Sequence, residues 1–377
     1  MRIAGITWWR YNYGSILQAY ALQQELNKKE NIDYEILCQY GKKVTSASNL
    51  KEKLKRIGLI KTIKRVFWKF GLKKLRKRNT NIQNFIDKNL KISDREYTKS
   101  NIKDANNVYD GFICGSDQIW NPKLTSLESI YWLSFANKEK LKVAYAPSIG
   151  VSILSNEQKK KIKENLKSFN AISTREKQGT DLINSVIGNK KCITVLDPTL
   201  LTERNLWDKI SSNNNIYNTK YIFVYMLRGT KNQRKLIEKY AQNKKMKIVT
   251  MPFLDNEKIS LYDFKFGDIK VWDASPADFI TVIRNAEYVF TDSFHCMLFS
   301  TMYHKSFYTF PKIGKSQVNR MLDFQKLISA ENRMINDNST IEEIENIDSI
   351  DWDKVDETIK NRRKESKKYL DDAFSIK

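Results

Sequence analysis

The sequence predicts an α/β protein with two Rossmann-like domains, and three observations lead to this prediction. Short β-rich runs alternate with stretches of helical periodicity along most of the chain, as in parallel sheets covered by helices. The alternation stops at Asp197-Pro198-Thr199 and restarts after the polar stretch 211–219, which divides the pattern into two halves. At 377 residues the chain is also long for a single hydrophobic core.

The first half supplies six strands and three helices to this prediction. The predicted strands are 3–8, 34–38, 111–114, 143–145, 171–173 and 193–195. The predicted helices are 15–29, 158–169 and 177–186. Helical stretches follow most of the strands, which predicts parallel pairing, because parallel neighbours need a crossover connection.

The second half repeats the same alternation and is followed by a helical tail. Its predicted strands are 221–226, 246–251, 288–291 and 307–310, and its helices are 231–244, 276–285 and 294–303. We therefore expect a first domain over 1–205 with a basic helical insertion over about 42–95, and a second domain over 206–335. The tail, 336–377, is expected to be helical, with packing against the first domain as one option.

Charge is the largest deviation in composition, because the formal net charge is +23. Between Lys42 and Arg78 there are fifteen Lys and Arg residues and one acid, Glu52. The apolar residues of this segment recur every three or four positions, which predicts an amphipathic helix: Leu50, Leu54, Ile57, Ile60, Ile63, Phe67 and Phe70. A basic amphipathic helix is typical of an anionic membrane surface, but a helix that packs on the domain with solvated lysines fits equally well. Nucleic acid is not an expected partner, because no RRM, KH, zinc or helix-turn-helix signature is present.

The sequence predicts a cytoplasmic protein, with attachment to the inner face of the plasma membrane as the extension that the basic segment suggests. No apolar run approaches the ~20 residues of a membrane-spanning helix, and the N-terminus lacks the features of a signal peptide. The four cysteines are far apart in sequence, without a C-x-x-C pair, and are expected to be reduced and mostly buried: Cys38, Cys114, Cys192 and Cys296.

Ligands of open α/β sheets bind at the carboxyl ends of the strands, so the loops there are the candidate sites. After the first strand, Gly14 permits a close backbone approach and Ser15 is a plausible helix N-cap, which together favour an anion at the helix start. Asn12 of this loop is a candidate acceptor ligand.

A second loop follows the strand 111–114 and carries compact hydrogen-bonding groups beside an aromatic ring. Ser116, Asp117 and Gln118 offer hydroxyl, carboxylate and amide groups, and Trp120 offers a flat face. This combination suits a sugar ring, although a capped turn would use the same residues.

A third polar loop contains Arg175, which is expected in the first turn of a helix, where the helix dipole disfavours a cation. Binding a phosphate or carboxylate with the guanidinium fork would explain that position. An ion pair with the adjacent Glu176 is the structural alternative.

Both histidines of the chain lie in one segment near its end, His295 and His304. Asp292 and Ser293 are expected to cap a buried helix, which places His295 in its first turn at the mouth of the cleft between the domains. His304 follows nine residues later and faces the opposite side of the helix, so the two cannot share a metal ion on one face.

Six motifs in order resemble the polysaccharide pyruvyl transferase family over roughly residues 3 to 325. They are N-Y-G-S-I-L-Q-A-Y-A-L, G-S-D-Q-I-W-N-P, Y-A-P-S-I-G, S-T-R-E, L-D-P-T-L-L and T-D-S-F-H-C-M-L-F-S. The resemblance implies a GT-B-like pair of domains and a bacterial enzyme that transfers the enolpyruvyl group of phosphoenolpyruvate to sugar hydroxyls as a ketal. It also implies that His295 and Arg175 handle the donor. Two departures bear on the substrate: Cys296 stands where the family usually has Gly, and the basic insertion is unlike shorter members.

Ketal formation requires a proton at the methylene carbon of the donor, and histidine is well suited to deliver it near neutral pH. The donor carries a phosphate and a carboxylate, so cations and N–H groups must surround it. The candidate donor ligands are Arg175, Ser293, Lys315, Arg320, Gly14 and Ser15. Asn12, Ser116, Asp117, Gln118 and Trp120 are the candidate acceptor ligands. No metal ion and no cofactor beyond the donor substrate are expected.

Two other functions stay open at this point. A GT-B-type glycosyltransferase would bind a nucleotide-sugar in the same cleft, with helix N-termini at its diphosphate. A non-catalytic, membrane-bound scaffold of a polysaccharide assembly complex would use the basic segment alone. For a pyruvyl transferase, the acceptor would be a sugar or a lipid-linked oligosaccharide.

Overall fold

A computed structural model describes residues 1–10, 12–40, 61–189, 191–212, 219–253, 261–311 and 318–375. Lys315 lies outside these residues, as does the basic segment from 41 to 60. Side chains of the predicted apolar stripe between 61 and 72 are likewise outside the description.

The first domain contains a parallel sheet, which has seven strands within the described residues, in the order β3-β2-β1-β4-β5-β6-β7. Its strands are β1 Arg2–Ile6, β2 Asp33–Cys38, β3 Ile92–Glu96, β4 Gly111–Cys114, β5 Leu141–Ala144, β6 Ala171–Thr174 and β7 Cys192–Thr194. Every residue of β4, and every residue of β1 after Arg2, is buried, as expected for a parallel sheet covered on both faces.

The helices that connect these strands begin with α1, whose N-cap Asn12 accepts a hydrogen bond from the backbone of Gly14. They are α1 Tyr13–Leu26, α2 Lys61–Asn89, α3 Asn156–Leu166, α4 Lys177–Ile187, α5 Pro198–Leu201 and α6 Arg204–Ile210. The last two lead into the second domain.

The second domain contains a smaller parallel sheet with the order β10-β9-β8-β11-β12 in the described chain. Its strands are β8 Tyr221–Tyr225, β9 Lys247–Thr250, β10 Ile269–Lys270, β11 Tyr288–Thr291 and β12 Ser306–Thr309. Its helices are α7 Lys231–Lys244, α8 Pro276–Asn285, α9 Phe294–Met302 and α10 Val318–Leu327. The α/β prediction, with its two parallel sheets, is confirmed.

The tail forms two helices, α11 Ile341–Glu345 and α12 Trp352–Ser375, and the second lies against the first sheet. The Tyr369 hydroxyl donates to the Ala144 carbonyl at 2.8 Å, at the end of β5. The Ser366 hydroxyl accepts from the Leu196 backbone at 2.9 Å. The tail therefore packs on the first domain next to the segment after β7, where the chain continues into the second domain.

One hydrophobic core runs through the facing sides of both domains. Tyr13 of α1 stacks on Phe279 of α8 with ring centroids 5.1 Å apart. Trp207 lies between the two halves and contacts Tyr20 at 5.9 Å and Phe299 at 4.9 Å. All five side chains belong to a single buried cluster that includes residues of both sheets.

The end of the basic insertion is integral to the first domain, and the prediction that 42–95 is wholly helical is wrong at its end. Ile82 and Ile86 of α2 are fully buried in the core, and the chain then forms β3 at the edge of the sheet. Sequence periodicity did not indicate β3 because only its first two residues are partly or fully buried.

Helix α2 also contacts the second domain. Lys77 pairs with Asp273 at 2.5 Å, and Asn81 donates to the Asp273 carbonyl at 2.6 Å. Arg78 is buried and donates to the Tyr13 hydroxyl at 3.0 Å, which in turn donates to the carbonyl of Ala274. The helix thus spans the boundary between the domains.

No helix of the described chain combines the length and the apolar character that crossing a membrane requires.

Candidate functional site

A cavity of about 360 Å³ lies between the two domains, at the carboxyl ends of β1, β4 and β11. Strand-end loops of both sheets meet here, as the rule for open α/β sheets requires. The cavity is lined by Trp8, Arg10, Asn12, Ser15, Tyr40, Asp117, Gln118, Leu227, Ser293, Phe294, His295 and Arg320.

The first domain contributes a buried carboxylate to this cavity. The Ser15 hydroxyl donates to Asp117 Oδ2 at 2.5 Å, and the backbone of Gln118 donates to Oδ1 at 2.8 Å. Burial alone would raise the pKa of Asp117, but the charges of His295 and Arg175 outweigh it and hold the pKa below its usual value. Asp117 is therefore ionised at neutral pH.

The second domain contributes His295, which lies in the first turn of α9 behind the N-cap Ser293. Its ring packs directly against the backbone of Gly14. A Cβ atom at Gly14 would lie 2.1 Å from His295 Nδ1, so only glycine allows this approach. The glycine that sequence reasoning associated with a ligand is in fact required by the histidine ring.

Behind His295 lies a fully buried carboxylate, Asp197. Its Oδ2 atom accepts from Arg175 Nη1 at 2.7 Å and from the Ser116 hydroxyl at 3.1 Å, and lies 3.6 Å from His295 Nε2. Burial opposes ionisation of Asp197, but His295 and Arg175 together lower its pKa far below the usual range. The carboxylate therefore connects the histidine to the buried arginine.

The ring of Phe294 contacts both arginines of the site. The guanidinium carbon of Arg175 is 4.3 Å from the ring centroid, and that of Arg320 is 5.5 Å away. Burial, together with the positive charge of Arg175, lowers the pKa of Arg320 to about 10. Two cations held this close together favour an anion between them.

Four buried nitrogen atoms of this cluster have no hydrogen-bond partner among the described residues. They are Nε and Nη2 of Arg175, Nε of Arg320 and Nε2 of His295. A buried donor without a partner destabilises the folded protein by about 1–3 kcal/mol, and by more when it is charged. Four such atoms in one place therefore favour a ligand that accepts hydrogen bonds from them. Oxygen atoms of an anion would do so.

A second cavity of about 880 Å³ adjoins the first at Phe294 and Arg320. Arg175 lines this cavity and His295 lines the first, while Phe294 and Arg320 line both. The walls away from the arginines are largely apolar and include Leu196, Leu298 and Phe324. The arginine pair thus stands at the junction of two spaces.

Most of the residues predicted for the site lie around the first cavity. They are Asn12, Ser15, Asp117, Gln118, Ser293, His295 and Arg320. The backbone of Gly14 contacts the His295 ring. Arg175 is hydrogen-bonded to Asp197 and does not line this cavity. Lys315, the remaining candidate donor ligand, falls outside the described residues.

Two predicted acceptor ligands, Trp120 and Ser116, are instead buried in the protein. Trp120 is 0% exposed, stacks on Trp132 at 4.7 Å and donates its indole N–H to the carbonyl of Tyr131. No face of the ring is left for a sugar, because apolar burial of the indole outweighed its place in a polar loop. Ser116, also 0% exposed, uses its hydroxyl on Asp197 and the Ala146 carbonyl.

The structure also corrects the expected position and ion pair of Arg175. Arg175 precedes α4, whose N-cap is Glu176, so it does not oppose the helix dipole from within the first turn. Its ion pair is with Asp197 and not with the expected partner Glu176. The Glu176 carboxylate instead accepts from the Ser148 hydroxyl at 2.8 Å. Cys296 lies in the first turn of α9 and is fully buried in the core, as expected for the cysteines, and burial raises the pKa of its thiol to about 12.

Sequence reasoning missed Asp197 and the aromatic side of the cavity. The D-P-T stretch marks the end of the first alternation and belongs to the L-D-P-T-L-L motif, but neither observation made Asp197 a candidate site residue, although it comes just after β7, where the strand-end rule points to a site. Trp8 and Tyr40 follow β1 and β2 in the same way. His304, by contrast, lies away from the cavity, stacked on Trp352 at 5.0 Å and 2.9 Å from Asp356.

No group of three or more His, Cys, Asp or Glu side chains that could hold a metal ion occurs among the described residues.

The family model described as polysaccharide pyruvyl transferase matches residues 12–311 of the chain. Among solved structures, the UDP-GlcNAc 2-epimerase of Methanocaldococcus jannaschii in complex with UDP-GlcNAc and UDP is similar, with a TM-score of 0.54 at 12% identity over 100% of both chains. A second structure of the epimerase from that organism gives a TM-score of 0.52 at 12% identity, over 96% of this chain and 92% of that chain. At this identity the likeness shows the GT-B-like fold alone. No curated protein matches the sequence.

Proposed function

Because the chain belongs to the polysaccharide pyruvyl transferase family, we propose that it transfers the enolpyruvyl group of phosphoenolpyruvate to hydroxyls of a sugar acceptor. The product would be a pyruvyl ketal on a precursor of a cell-surface polysaccharide, with inorganic phosphate as the second product. The cluster of unpartnered nitrogen atoms on Arg175, Arg320 and His295 is the observation that carries this proposal.

The donor suits this cluster because it has two anionic groups on a three-carbon skeleton. Its phosphate and carboxylate would accept from the guanidinium groups of Arg175 and Arg320, which meet at the ring of Phe294. Ser293 and Ser15 line the adjoining cavity and would add hydroxyl donors. The methylene carbon would then face His295.

In the first step, His295 Nε2 would give a proton to the methylene carbon of the donor, which becomes a methyl group. The adjacent carbon becomes an oxocarbenium-type cation that a sugar hydroxyl attacks, and the proton of this hydroxyl would return to His295. A second hydroxyl of the same sugar then displaces phosphate, which would leave with the proton of that hydroxyl, and the ketal closes. Asp197, 3.6 Å from Nε2, would stabilise the protonated ring before transfer.

The acceptor would occupy the cavity of about 360 Å³ on the first-domain side of His295. Asn12, Asp117 and Gln118 line this side and offer an amide, a carboxylate and a second amide to sugar hydroxyls. Asp117 is ionised and would accept a hydrogen bond from the attacking hydroxyl.

The direct test incubates the protein with phosphoenolpyruvate and sugar acceptors, including lipid-linked glycans, and follows phosphate release and the mass of a pyruvyl ketal. His295→Ala should lower turnover by about 10²–10⁴-fold, the usual contribution of a general acid, while the variant stays folded. His304→Ala is the matched control, because this second histidine lies outside the cavity and should leave turnover unchanged. Near-normal turnover in His295→Ala would show that another group supplies the proton.

A thermal-shift comparison separates the pyruvyl transferase from a nucleotide-sugar glycosyltransferase on the same fold. Phosphoenolpyruvate should raise the Tm of the wild type, and a UDP-sugar should not. The opposite result would overturn the proposed donor.

A further inference from the structure

The first-domain side of the smaller cavity has an aromatic surface formed by Trp8 and Tyr40. The two residues follow β1 and β2, which are parallel neighbours, so both come from the same edge of the sheet. Tyr40 is 38% exposed and is the one aromatic residue among the exposed large hydrophobic side chains of the described chain. An exposed aromatic ring at a cavity is a feature of ligand-binding sites.

Both rings are held in place by Tyr131, which is itself buried. The rings of Trp8 and Tyr131 form a T-shaped pair with centroids 6.4 Å apart at an angle of 83°. The hydroxyl groups of Tyr40 and Tyr131 are hydrogen-bonded at 2.5 Å. Burial raises the pKa of Tyr40, so this hydroxyl is neutral and the wall carries no negative charge of its own.

Arg10 fixes the backbone and the position of Tyr40 from the other side. Its Nη1 atom donates to the Tyr40 carbonyl at 2.9 Å. Its guanidinium carbon lies 4.5 Å from the ring centroid of Trp9 and 5.9 Å from that of Tyr40. The aromatic wall is therefore preorganised by hydrogen bonds and ring contacts, and a ligand would find it already formed.

The rest of this side of the cavity is polar. Asn12, Asp117 and Gln118 present hydrogen-bonding groups in the same space as the two rings. A pyranose has the matching shape, with C–H groups on its faces and hydroxyl groups around its edge. Aromatic faces carry negative charge density and attract such C–H groups, while amides and a carboxylate bind hydroxyls.

We propose that Trp8 and Tyr40 form the binding wall for one pyranose ring of the acceptor, with Asn12, Asp117 and Gln118 at the hydroxyl edge of that ring. This inference rests on the proposed function for the role of the sugar as acceptor, but the subsite itself is a property of this cavity. It takes the place of the sugar contact that the sequence suggested for Trp120.

The test measures binding of methyl glycosides to the full-length protein by saturation-transfer NMR and titration. The panel contains the α- and β-methyl pyranosides of glucose, galactose, mannose and N-acetylglucosamine. We expect at least one glycoside to bind the wild type and to bind Trp8→Ala and Tyr40→Ala about five- to tenfold more weakly, the scale of an aromatic contact. Tyr40→Phe keeps the ring but loses the hydrogen bond to Tyr131, so it should bind glycosides more tightly than Tyr40→Ala and at most slightly more weakly than the wild type.

Phosphoenolpyruvate binding is measured on the same variants and should be unchanged, because both rings lie on the acceptor side. If no glycoside binds the wild type, or if Tyr40→Ala and Trp8→Ala bind glycosides as well as the wild type does, the aromatic wall is not a sugar site. If glycosides bind through the two rings while phosphoenolpyruvate does not bind at all, the sugar subsite stands and the proposed donor is wrong.

Discussion

Replacing Gly14 with alanine tests the contact that joins the two domains at the site. The added Cβ would lie 2.1 Å from Nδ1 and 2.4 Å from Cγ of His295, whereas non-bonded carbon contacts are normally about 3.5 Å or longer. The imidazole must therefore move by at least about 1 Å. Gly14 has an ordinary helical backbone conformation, so the expected effect comes from this clash and not from backbone strain.

Overpacking of this kind costs about 1–3 kcal/mol, and helix propensity returns at most about 1 kcal/mol of it. The net loss is therefore about 0–3 kcal/mol, and for a chain of 377 residues the corresponding fall in Tm is about 0–4 °C. A misplacement of about 1 Å at a catalytic group lowers turnover by about 10²-fold. Turnover is measured as phosphate release from phosphoenolpyruvate, and Tm by calorimetry.

Two further variants isolate the contact. Gly179→Ala, in helix α4, places a Cβ 3.1–3.3 Å from Oε1, Cδ and Cγ of Glu176, so a shift of a few tenths of an ångström suffices and the effect should be smaller than that of Gly14→Ala. In a His295→Ala background the closest remaining atom is the Cβ at 2.8 Å, so Gly14→Ala should cost less there, by about 1 kcal/mol or more. If Gly14→Ala matches the wild type in both Tm and turnover, the ring does not pack on Gly14.

Three other outcomes are expected. Arg175→Lys keeps the charge but loses the guanidinium fork, so the apparent affinity for phosphoenolpyruvate should fall; an unchanged affinity would leave Arg175 only the task of holding Asp197. Asp197→Asn removes one partner of a buried pair and should lower the free energy of unfolding by about 3–5 kcal/mol at pH 7. Because the folded-state pKa of Asp197 is depressed, this contribution is present above about pH 4 and declines below it, so urea unfolding of the two proteins should differ less at pH 3; an equal difference at both would contradict the assignment. The basic segment from Lys42 to Arg78 should make the protein co-sediment with anionic vesicles at low salt, because each cation near the surface contributes about 1 kcal/mol of binding free energy. Changing five of its lysines, other than Lys77, to glutamine should leave the protein in the supernatant. Wild-type protein that stays in the supernatant would make the segment purely structural.

The strand-end rule predicted much of the candidate site from sequence because it depends on topology alone. Asn12, Ser15, Asp117 and His295 are up to 283 positions apart in the chain, yet each follows a parallel strand. The first three follow strands of the first sheet and His295 follows a strand of the second, and the strand ends of both sheets meet at the cavity. What the rule cannot give is the direction of a side chain. Trp120 follows β4 as Asp117 does, but its indole turns into the core.

Pairing between charged groups was the other part that the sequence did not reveal. Neighbours in sequence suggested Glu176 as the partner of Arg175, whereas the partner is Asp197, 22 residues later. Within the insertion, the helical period of the basic segment predicted a helix where α2 lies. It did not indicate β3, because this strand has only one buried residue. Long-range pairing and edge strands leave weak traces in local periodicity.

The hydrophobic core shared by the two sheets has a consequence for how this protein folds and divides. The boundary near residue 205 marks a change of sheet, but Tyr13, Phe279 and Trp207 pack in one cluster across it. A fragment cut there would expose aromatic surface that the other half normally covers, and would be prone to aggregate. We therefore expect the two sheets to unfold as one cooperative unit, in which loss of packing around Trp207 destabilises both sides of the cavity together.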